Sequence, residues 1–363
     1  MPNEHLESKL FSPHTANEFN ALCLEVFQFQ YAHNQVYRQF VDSLSVNPVL
    51  VSHYVQIPFL PISFFKSHEV RCHCREPELI FESSKTTGTT SSKHYVERAE
   101  LYKTSFLRCF EQFYGSPKEY VFLALLPNYL EQQHSSLVYM VSELIAQSEN
   151  DESGFFLHNF EDLDAAIRRR LRFRPATGDS HKKIFLIGVS FALLDFAEQY
   201  SYNTSSHPSF LRRQESHIHC EEIPAYAGMT ESVDIIVMET GGMKGRRKEL
   251  LRSEMHEILA QAFGVEHIHS EYGMAELLSQ AYSGSHGNFS CPPWQKILVR
   301  DMYDPFSYMP CGKAGGINVI DLANLYSCSF IETKDVGRVY ENGSFTVEGR
   351  FDASEVRGCN LMY

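Results

Sequence analysis

Three apolar runs of strand length, each followed by a helical pattern, constrain the fold of this chain more than any other feature. The runs are YVFLALLP at 120–127, KIFLIGV at 183–189 and DIIVMETGG at 234–242. A continuous apolar run is typical of a strand that is buried on both faces, as in a parallel sheet whose crossovers are helices. The alternation therefore predicts a doubly wound α/β core.

Two segments show the helical repeat that such a core needs. The first presents an aromatic face formed by Tyr102, Phe106, Phe110 and Phe113. The second runs from 248 to 263, and Gly264 is its expected stop. The apolar face of this second helix is expected to contain Leu251, Met255, Ile258, Leu259 and Ala262. Ser190 directly follows the second apolar run and is predicted to cap the next helix.

The two ends of the chain have different patterns. Up to about residue 56 the pattern is helical, and IPFLPISFFK at 57–66 is expected to be a buried connector because two prolines interrupt it. ELIFESS at 78–84 predicts a short strand, and short β-like pieces dominate the end of the chain. We therefore divide the chain into an α/β core, 1–314, and a β-rich end segment with a mobile tail, 315–363.

Residues 201–232 interrupt the alternation of helices and strands. They show no sustained hydrophobic period, and HPSFLRRQESHIHCEEIPAYAGMTE looks like the translation of an interspersed bacterial DNA repeat. A long surface insertion adds little loop-closure entropy, so a fold can tolerate one. The segment is predicted to be an inserted, flexible surface loop without a role in chemistry.

Charge and composition exclude several classes of partner. The formal net charge is −13, so the chain has no long-range attraction for nucleic acid or for an anionic membrane. The N-terminus lacks a signal-peptide pattern, and no apolar run approaches the roughly 18–20 residues of a spanning helix. Nine scattered cysteines indicate reduced thiols, and Cys72-His73-Cys74 lacks the second pair of a zinc site. These features predict a cytoplasmic protein without a nucleic-acid partner or a membrane span, and they leave its oligomeric state open.

A loop rich in hydroxyl side chains follows the strand predicted at 78–84. It reads SSKTTGTTSSK over 83–93 and offers flexible backbone donors, hydroxyls and two lysines, which suit a triphosphate. It lacks the GxxxxGK[ST] order of a Walker A loop. Taken alone, it is equally well explained as a threonine-rich surface loop.

Four motifs in order resemble those of the adenylate-forming superfamily, which includes acyl-CoA synthetases, luciferases and peptide-synthetase adenylation domains. The loop at 83–93 is similar to the phosphate-binding run of that superfamily, with Lys85 where a glycine is usual. EYGMAE at 271–276 resembles its Tyr-Gly-x-Thr-Glu motif, ETKDVG at 332–337 its Thr-Gly-Asp segment, and GRFD at 349–352 its Gly-Arg-x-Asp hinge. Each motif alone fits an ordinary turn, but four in this order are hard to assign to chance.

The resemblance implies roles for individual residues. Tyr272 would pack on adenine, Asp335 would accept hydrogen bonds from the ribose hydroxyls, and Arg350 would meet ribose or phosphate. Glu276 would hold the Mg²⁺ that bridges the phosphates, and Lys93, or alternatively Lys85, would act as a catalytic cation. The full set assigned to ATP is Ser84, Thr86, Thr87, Gly88, Gly241, Gly242, Tyr272, Gly273, Asp335 and Arg350.

Most of the chain resembles the LuxE-type acyl-protein synthetases, for example in LPNYLEQQHSSLVYMV, ETGGMKGRRKE and the terminal SEVRGCNLM. The resemblance implies an α/β fold of layered sub-domains plus a small β-rich sub-domain, without the usual small C-terminal domain. In that family a cysteine near the C-terminus receives the acyl group, and Cys359 matches it. Arg357 would lower the pKa of the Cys359 thiol. His134 sits where relatives often carry an aromatic residue or a histidine beside the acyl pocket.

The function implied by the resemblance is that of an acid–thiol ligase dependent on ATP and Mg²⁺. It would convert a carboxylic acid, expected to be a fatty acid, to acyl-AMP, load Cys359 as a thioester, and deliver the acyl group to a partner reductase. A ligase acting on coenzyme A or an acyl-carrier protein is an alternative. A degenerate, non-catalytic relative and a structural subunit of a reductase complex are two more. The sequence does not distinguish a fatty from an aryl acid.

Overall fold

The part of the chain that the structure describes contains both the α/β region and the β-rich end. The computed structural model describes residues 4–13, 15–83, 91–126, 134–157, 159–172, 182–202, 235–241 and 250–351. Residues 84–90 of the hydroxyl-rich loop, the insertion beyond Tyr202, Gly242, and the tail from 352 onward with Cys359 lie outside these ranges.

Helices and strands alternate through the middle of the chain, and strands dominate its end. The α-helices are α1 Glu4–Lys9, α2 Ala16–His33, α3 Gln35–Ser43, α4 Phe64–Ser67, α5 Ala99–Tyr114, α6 Ser136–Gln147, α7 Phe160–Arg172, α8 Ser190–Gln199 and α9 Arg252–Phe263. The strands are β1 Leu60–Pro61, β2 Leu79–Glu82, β3 Lys93–Val96, β4 Tyr120–Leu125, β5 Gly154–Phe156, β6 Lys183–Val189, β7 Ile235–Thr240, β8 His269–Tyr272, β9 Ala281–Ser283, β10 Asn288–Phe289, β11 Gln295–Arg300, β12 Gly315–Asp321, β13 Phe330–Val339 and β14 Phe345–Arg350. Within the described ranges, no helix has the length and apolar character needed to cross a membrane.

The central sheet carries the three predicted strands side by side. Its order is β5-β4-β6-β7-β8-β9, parallel except for β9, which runs antiparallel to β8. The predicted strands are β4, β6 and β7, and every residue of β4 is buried. The doubly wound α/β core expected from the sequence is therefore confirmed. The strand order reverses at β4, and ligands in such sheets bind beyond the carboxyl ends of the strands near the reversal.

Helices cover the central sheet in two layers. Phe110 of α5 packs on β4 and β6, with ring centroids 5.5 Å from Phe122 and 5.2 Å from Phe185. The crossovers through α8 and α9 run in the same direction across the sheet, so right-handed connections place both helices on one face. Phe196 of α8 stacks on Phe263 of α9 at 6.0 Å, which joins these two helices.

A second sheet forms the β-rich end. Its order is β10-β14-β13-β12-β11, antiparallel throughout, and β1 adds to β13 in parallel. The connector at 57–66 thus contributes a short strand, since Leu60 and Pro61 pair with Ile331 and Glu332. The boundary proposed after residue 314 passes between β11 and β12, which are paired strands of this one sheet. The sequence shows where strands occur but does not show which strands pair.

The predicted start and apolar face of α9 need correction. The helix begins at Arg252 rather than at 248, and Gly264 ends it in the left-handed conformation, as expected. Met255, Leu259 and Ala262 are buried, but Leu251 is 70 % exposed and Ile258 is 43 % exposed. Leu251 precedes the helix, and Ile258 adjoins the buried stripe without belonging to it, so periodicity alone overestimated the width of the apolar face.

The predicted capping role of Ser190 was wrong. Ser190 is the first residue of α8, Val189 is the residue at the cap position, and no side chain caps this helix. The Ser190 hydroxyl instead donates to the Glu239 carboxylate at 3.0 Å. The hydroxyl therefore serves as a donor to a buried carboxylate on the neighbouring strand β7, and not as the acceptor for a helix N–H that a cap requires.

Candidate functional site

The hydroxyl-rich loop connects the two strands of a β-hairpin. Strands β2 and β3 pair antiparallel, with Glu82 opposite Lys93. One residue further, the Ser83 N–H donates to the Ser92 carbonyl at 3.1 Å, and the Ser92 N–H donates to Ser83 Oγ at 3.0 Å. These bonds fix the base of the loop, while the predicted ATP contacts Ser84, Thr86, Thr87 and Gly88 lie outside the described residues.

Lys93 stands at the end of this loop, on the first position of β3. Its side chain is half exposed, and Nζ lies 3.6 Å from Glu82 Oε1. A long, half-exposed lysine in a loose ion pair with a neighbouring carboxylate is free to exchange that partner for a phosphate. Its predicted role as a catalytic cation stays a prediction.

Glu276 meets the loop base although 184 residues separate the two in sequence. The Ser92 hydroxyl donates to Glu276 Oε1, and the carboxyl group is almost fully buried. Burial raises the pKa of Glu276, while the Ser92 hydrogen bond and the charge of Arg350 act in the opposite direction. The structure thus brings the first and second sequence motifs into direct contact.

Tyr272, Asp335 and Arg350 form a hydrogen-bonded chain that joins the two sheets. The Tyr272 hydroxyl donates to Asp335 Oδ2 at 2.8 Å, and Arg350 Nε donates to Asp335 Oδ1 at 3.0 Å. Asp335 and Arg350 are directly opposed on β13 and β14. A carboxylate offers about four lone-pair sites, so Asp335 keeps acceptor capacity for the hydroxyls of a ribose. The second, third and fourth motifs therefore meet in one place.

The ring of Tyr272 lies in an aromatic cluster rather than alone in a cleft. Its centroid is 5.9 Å from that of Phe289 and 5.5 Å from that of Phe345, whose ring meets it edge-on. Burial, followed by the charge of Asp335, raises the pKa of the Tyr272 hydroxyl, which therefore stays protonated and donates. The ring is thus held in place on its β-rich side.

Two glycines of the predicted nucleotide set are described. Gly241 has φ +71° just after β7, a conformation that favours glycine, and it is exposed. At Gly273, an added Cβ would lie 2.2 Å from Glu271 Oε1, so any side chain there would displace the Glu271 carboxyl. Gly242 lies outside the described residues.

The sequence reasoning missed two carboxyl groups near the ends of β7 and β8, that of the buried Glu239 and that of the partly exposed Glu271. Glu239 accepts from Ser190 and lies 3.4 Å from Arg252 Nε and 3.5 Å from His256 Nε2. Burial works to raise the pKa of Glu239, but the contacts with His256 and Arg252 outweigh it and leave the pKa lowered. Burial raises the pKa of Glu271 to about 7, with Glu239 adding to the effect and a Thr240 hydrogen bond opposing it. A glutamate one residue before the end of each strand was the available signal.

His94, on β3, is a second group that the sequence reasoning missed. It is buried, with Nδ1 2.8 Å from the Ala275 carbonyl and Nε2 2.8 Å from Ser327 Oγ. Burial lowers its pKa to about 4, so the ring is neutral near pH 7. Nothing in the local sequence distinguishes this histidine from a surface residue of the loop.

His134 lies beside the same hairpin. Its Nδ1 is 3.1 Å from the Ile80 carbonyl, and its own carbonyl accepts from the Glu82 N–H at 2.9 Å. The ring is exposed and is held against β2, next to the loop base. Its predicted place beside an acyl pocket stays a prediction.

Most of the described cysteines are unsuited to nucleophilic chemistry. Burial raises the pKa of Cys23, Cys72, Cys109, Cys291 and Cys328, which keeps these thiols protonated. Cys74 and Cys311 are exposed, and Cys359 lies outside the described residues. Within those residues, no group of three or more ligand side chains could hold a metal, so Cys72-His73-Cys74 forms no such site there.

The donors around Glu276 fit Mg²⁺ nonetheless. Mg²⁺ in phosphate-transfer sites is held by one or two carboxylates together with substrate phosphates and water, all of them oxygen donors. Glu276 supplies one carboxylate, and Ser83 and Ser92 place two hydroxyl oxygens beside it. The residues present therefore suit a metal that arrives with a nucleotide.

Comparisons with known proteins identify the fold. No protein-family model and no curated protein sequence matches the chain. 2-Hydroxyisobutyryl-CoA ligase in complex with 2-HIB-AMP and CoA has a TM-score of 0.61 at 13 % identity, covering 97 % of this chain and 73 % of that one. The same ligase with R3-HIB-AMP has a TM-score of 0.60 at 13 % identity, covering 94 % and 70 %.

A shorter match is found to ATP-bound MatB from Rhodopseudomonas palustris, with a TM-score of 0.47 at 16 % identity, covering 75 % of this chain and 47 % of that one. The chain thus spans about half the length of the MatB structures that it matches. The likeness to 2-hydroxyisobutyryl-CoA ligase confirms the expected fold class. The described chain shares the mixed α/β fold of this ligase.

Proposed function

We propose that this chain uses ATP to activate a carboxylic acid as an acyl-adenylate. One observation carries the proposal: the four motifs, far apart in sequence, converge on one site. Ser92 at the loop base binds Glu276, and Tyr272, Asp335 and Arg350 are joined by hydrogen bonds. The site lies where β8 ends, on the edge of the sheet that the carboxyl ends of its parallel strands form.

In the proposed reaction an oxygen of the acid attacks the α-phosphorus of ATP. The bond between that phosphorus and the bridging oxygen breaks, and pyrophosphate leaves with the electron pair. Stabilising the developing phosphate charge is the main catalytic task, and we assign it to the hydroxyls and backbone N–H groups of the loop together with Lys93. Mg²⁺ held by Glu276 would neutralise phosphate charge when bound. Asp335 and Arg350 would hold the ribose.

In the proposed second step the Cys359 thiolate attacks the acyl carbon, and AMP leaves with its phosphate oxygen. The thioester would then pass to a partner acyl reductase in the cytoplasm, and a fatty acid is the first substrate class to test. The buried cysteines with raised pKa values are poor acceptors, which directs attention to Cys359, with Arg357 nearby in sequence. The alternative acceptor is coenzyme A or a carrier protein, because the neighbouring ligase binds CoA.

The test combines ATP–pyrophosphate exchange with covalent labelling by radioactive fatty and aryl acids. We expect exchange with the preferred acid, and label that hydroxylamine removes. Cys359→Ser should lose the label and keep exchange, while Cys311→Ser, at an exposed described cysteine, should keep both. Exchange without label in the wild type would move the acceptor to coenzyme A or a carrier protein. Absence of exchange with every acid would contradict the activation step.

A further inference from the structure

Strand β3 presents two buried polar side chains toward the segment that carries Glu276. Ser92 immediately precedes the strand, and His94 is its second residue; they are 2 % and 1 % exposed. Residues two apart in an extended chain point to the same side, and Lys93 between them points to solvent. Two adjacent points of contact are therefore available on one face of the hairpin.

Both side chains bind consecutive residues of the second motif. The Ser92 hydroxyl donates to Glu276 Oε1, and His94 Nδ1 lies 2.8 Å from the Ala275 carbonyl. A carbonyl oxygen only accepts, so Nδ1 carries the proton and Nε2 accepts from the Ser327 hydroxyl at 2.8 Å. The tautomer of His94 is thus fixed by its two neighbours.

Ser92 also connects Glu276 to the opposite side of the loop base. The Ser92 and Ser83 hydroxyls are 2.8 Å apart. Ser92 is the donor in this contact too, so its single proton is shared between Ser83 Oγ and Glu276 Oε1. A third contact holds the same segment, because Asn324 Nδ2 donates to the Glu276 carbonyl at 2.8 Å.

We propose that Ser92 and His94 are positioning residues that align the Glu276 carboxylate for the metal carried by a nucleotide, and so couple metal binding to the phosphate loop. This inference rests on the proposed function. Partners that orient a metal ligand typically change metal affinity or activity about 10–100-fold when they are removed. Ser92 acts directly on the carboxylate, and His94 acts through the backbone that precedes it.

The test measures Mn²⁺ affinity by electron paramagnetic resonance in the presence of saturating α,β-methylene-ATP. Mn²⁺ is an oxygen-seeking substitute for Mg²⁺ with a direct spectroscopic signal. Ser92→Ala is expected to weaken Mn²⁺ binding about 10–100-fold, and Ser92→Thr, which keeps the hydroxyl, to restore most of it. The affinity of each variant for the nucleotide without metal, measured by calorimetry, should stay near the wild-type value. A variant that had lost its structure would lose this affinity as well.

Two further substitutions keep the test decisive if Ser92→Ala does not fold. His94→Leu removes the donor to Ala275 and is expected to weaken Mn²⁺ binding. His94→Asn places an amide N–H near the position of Nδ1 and is expected to keep Mn²⁺ binding close to that of the wild type. Ser148→Ala is the matched control. This serine is buried at the end of α6, and among the bonds of the described residues its hydroxyl contacts only the Ile145 carbonyl and the Ser153 hydroxyl. It should bind Mn²⁺ like the wild type.

The outcomes separate this inference from the proposed function. Ser92→Ala and His94→Leu proteins that bind Mn²⁺ within about threefold of the wild type would overturn the inference and leave the proposed function intact. A wild-type protein that binds no α,β-methylene-ATP, with or without Mn²⁺, would contradict the proposed function, and the positioning role would fall with it.

Discussion

Two carboxyl groups at neighbouring strand ends lie in opposite electrostatic surroundings. Glu239 faces Arg252 and His256, which favour its charged form. Glu271 accepts one hydrogen bond, from Thr240, and feels the negative charge of Glu239. Burial therefore dominates at Glu271 and raises its pKa to about 7. One of the two carboxyl groups is ionised near neutral pH, and the other is close to its titration point.

This difference predicts a pH-dependent effect of Glu271→Gln on stability. The folded pKa lies above the unfolded value of 4.5, so the folded chain keeps a proton that the unfolded chain releases. The free energy of unfolding of the wild type therefore falls as pH rises from 4.5 to 7. A glutamine side chain does not titrate, so the free energy of unfolding of the variant does not fall in this way. Allowing for the partial exposure of Glu271, we expect the variant to be more stable at pH 8 by on the order of 2 kcal/mol.

Urea unfolding at pH 5 and pH 8 checks this prediction. The gain from Glu271→Gln should shrink toward zero at pH 5, where Glu271 is protonated in the folded chain. Glu257→Gln, on the exposed side of α9, serves as the control and should show little change at either pH. An equal gain at both values would mean that Glu271 does not titrate in this interval.

Motif order was enough to single out several residues that the fold brings together, but it did not indicate their partners. Tyr272, Asp335 and Arg350 were named from short strings, because an aromatic ring, a carboxylate and a guanidinium each suit one part of a nucleotide. The ion pair of Asp335 with Arg350 depends on the register of β13 and β14, which no local pattern encodes. His94 escaped notice for the same reason, since its partners lie 181 and 233 residues away.

At the scale of elements, the pairing of β13 with β14 depends on one glycine. The register shifts between Val336 and Gly337, as at a β-bulge. A Cβ at Gly337 would lie 2.0 Å from the Thr346 carbonyl oxygen, so the two strands could not keep their present approach. Gly349, further along β14, has no atom within 4 Å of the position of a Cβ. The two glycines therefore offer a matched comparison.

Gly337→Ala is expected to destabilise the chain by about 3 kcal/mol, because a backbone atom must move to admit the methyl group. Gly349→Ala should change the free energy of unfolding by less than about 0.5 kcal/mol. Denaturant unfolding of both variants measures the difference. If both variants lose a similar free energy of unfolding, the close approach of the Thr346 carbonyl to Gly337 does not explain the cost of a side chain at this position.

Element prediction succeeded where one physical signal dominated. The apolar runs gave β4, β6 and β7 because strands buried on both faces need apolar residues at every position. The short strand β1 was not predictable, because two residues carry no period and the pairing partner is far away in sequence. The width of the apolar face of α9 was overestimated, since hydrophobicity does not say which apolar residues find a neighbour.

At the scale of the whole molecule, polar side chains join elements that are distant in sequence. Gln30 of α2 is fully buried, and its amide donates to the carbonyls of Asn324 and Leu325 and accepts from the Ser329 N–H. Asn34 donates to the Ser327 carbonyl at 2.9 Å. These bonds anchor the N-terminal helices to the segment that supports Glu276. These bonds could not be predicted from the sequence, because a buried glutamine or asparagine cannot be told from an exposed one by residue type alone.

The contacts of the fold continue to Tyr202, inside the predicted insertion. The Tyr202 N–H donates to the Ala262 carbonyl at 2.7 Å, and its hydroxyl donates to Asp164. Its ring stacks on Phe263 at 5.9 Å and on Phe196 at 6.3 Å. Tyr202 therefore belongs to the layer formed by α8 and α9, and any foreign segment begins after it.

We accordingly predict that residues 203–231 can be replaced by a Gly/Ser linker of about eight residues without loss of folding. With the three retained residues 232–234, about eleven residues would then connect Tyr202 to Ile235, and a chain of that length spans more than about 30 Å when extended. Shortening the loop about threefold lowers its closure entropy, so the free energy of unfolding should rise slightly, by about 1 kcal/mol or less. Tyr202→Ala in the full chain is the contrasting variant and should cost about 3–5 kcal/mol through the cavity it leaves. Thermal unfolding and ATP–pyrophosphate exchange are the measurements. A shortened chain that fails to fold, or folds without the exchange that the full chain shows, would mean that the inserted segment has become part of the structure or of the chemistry.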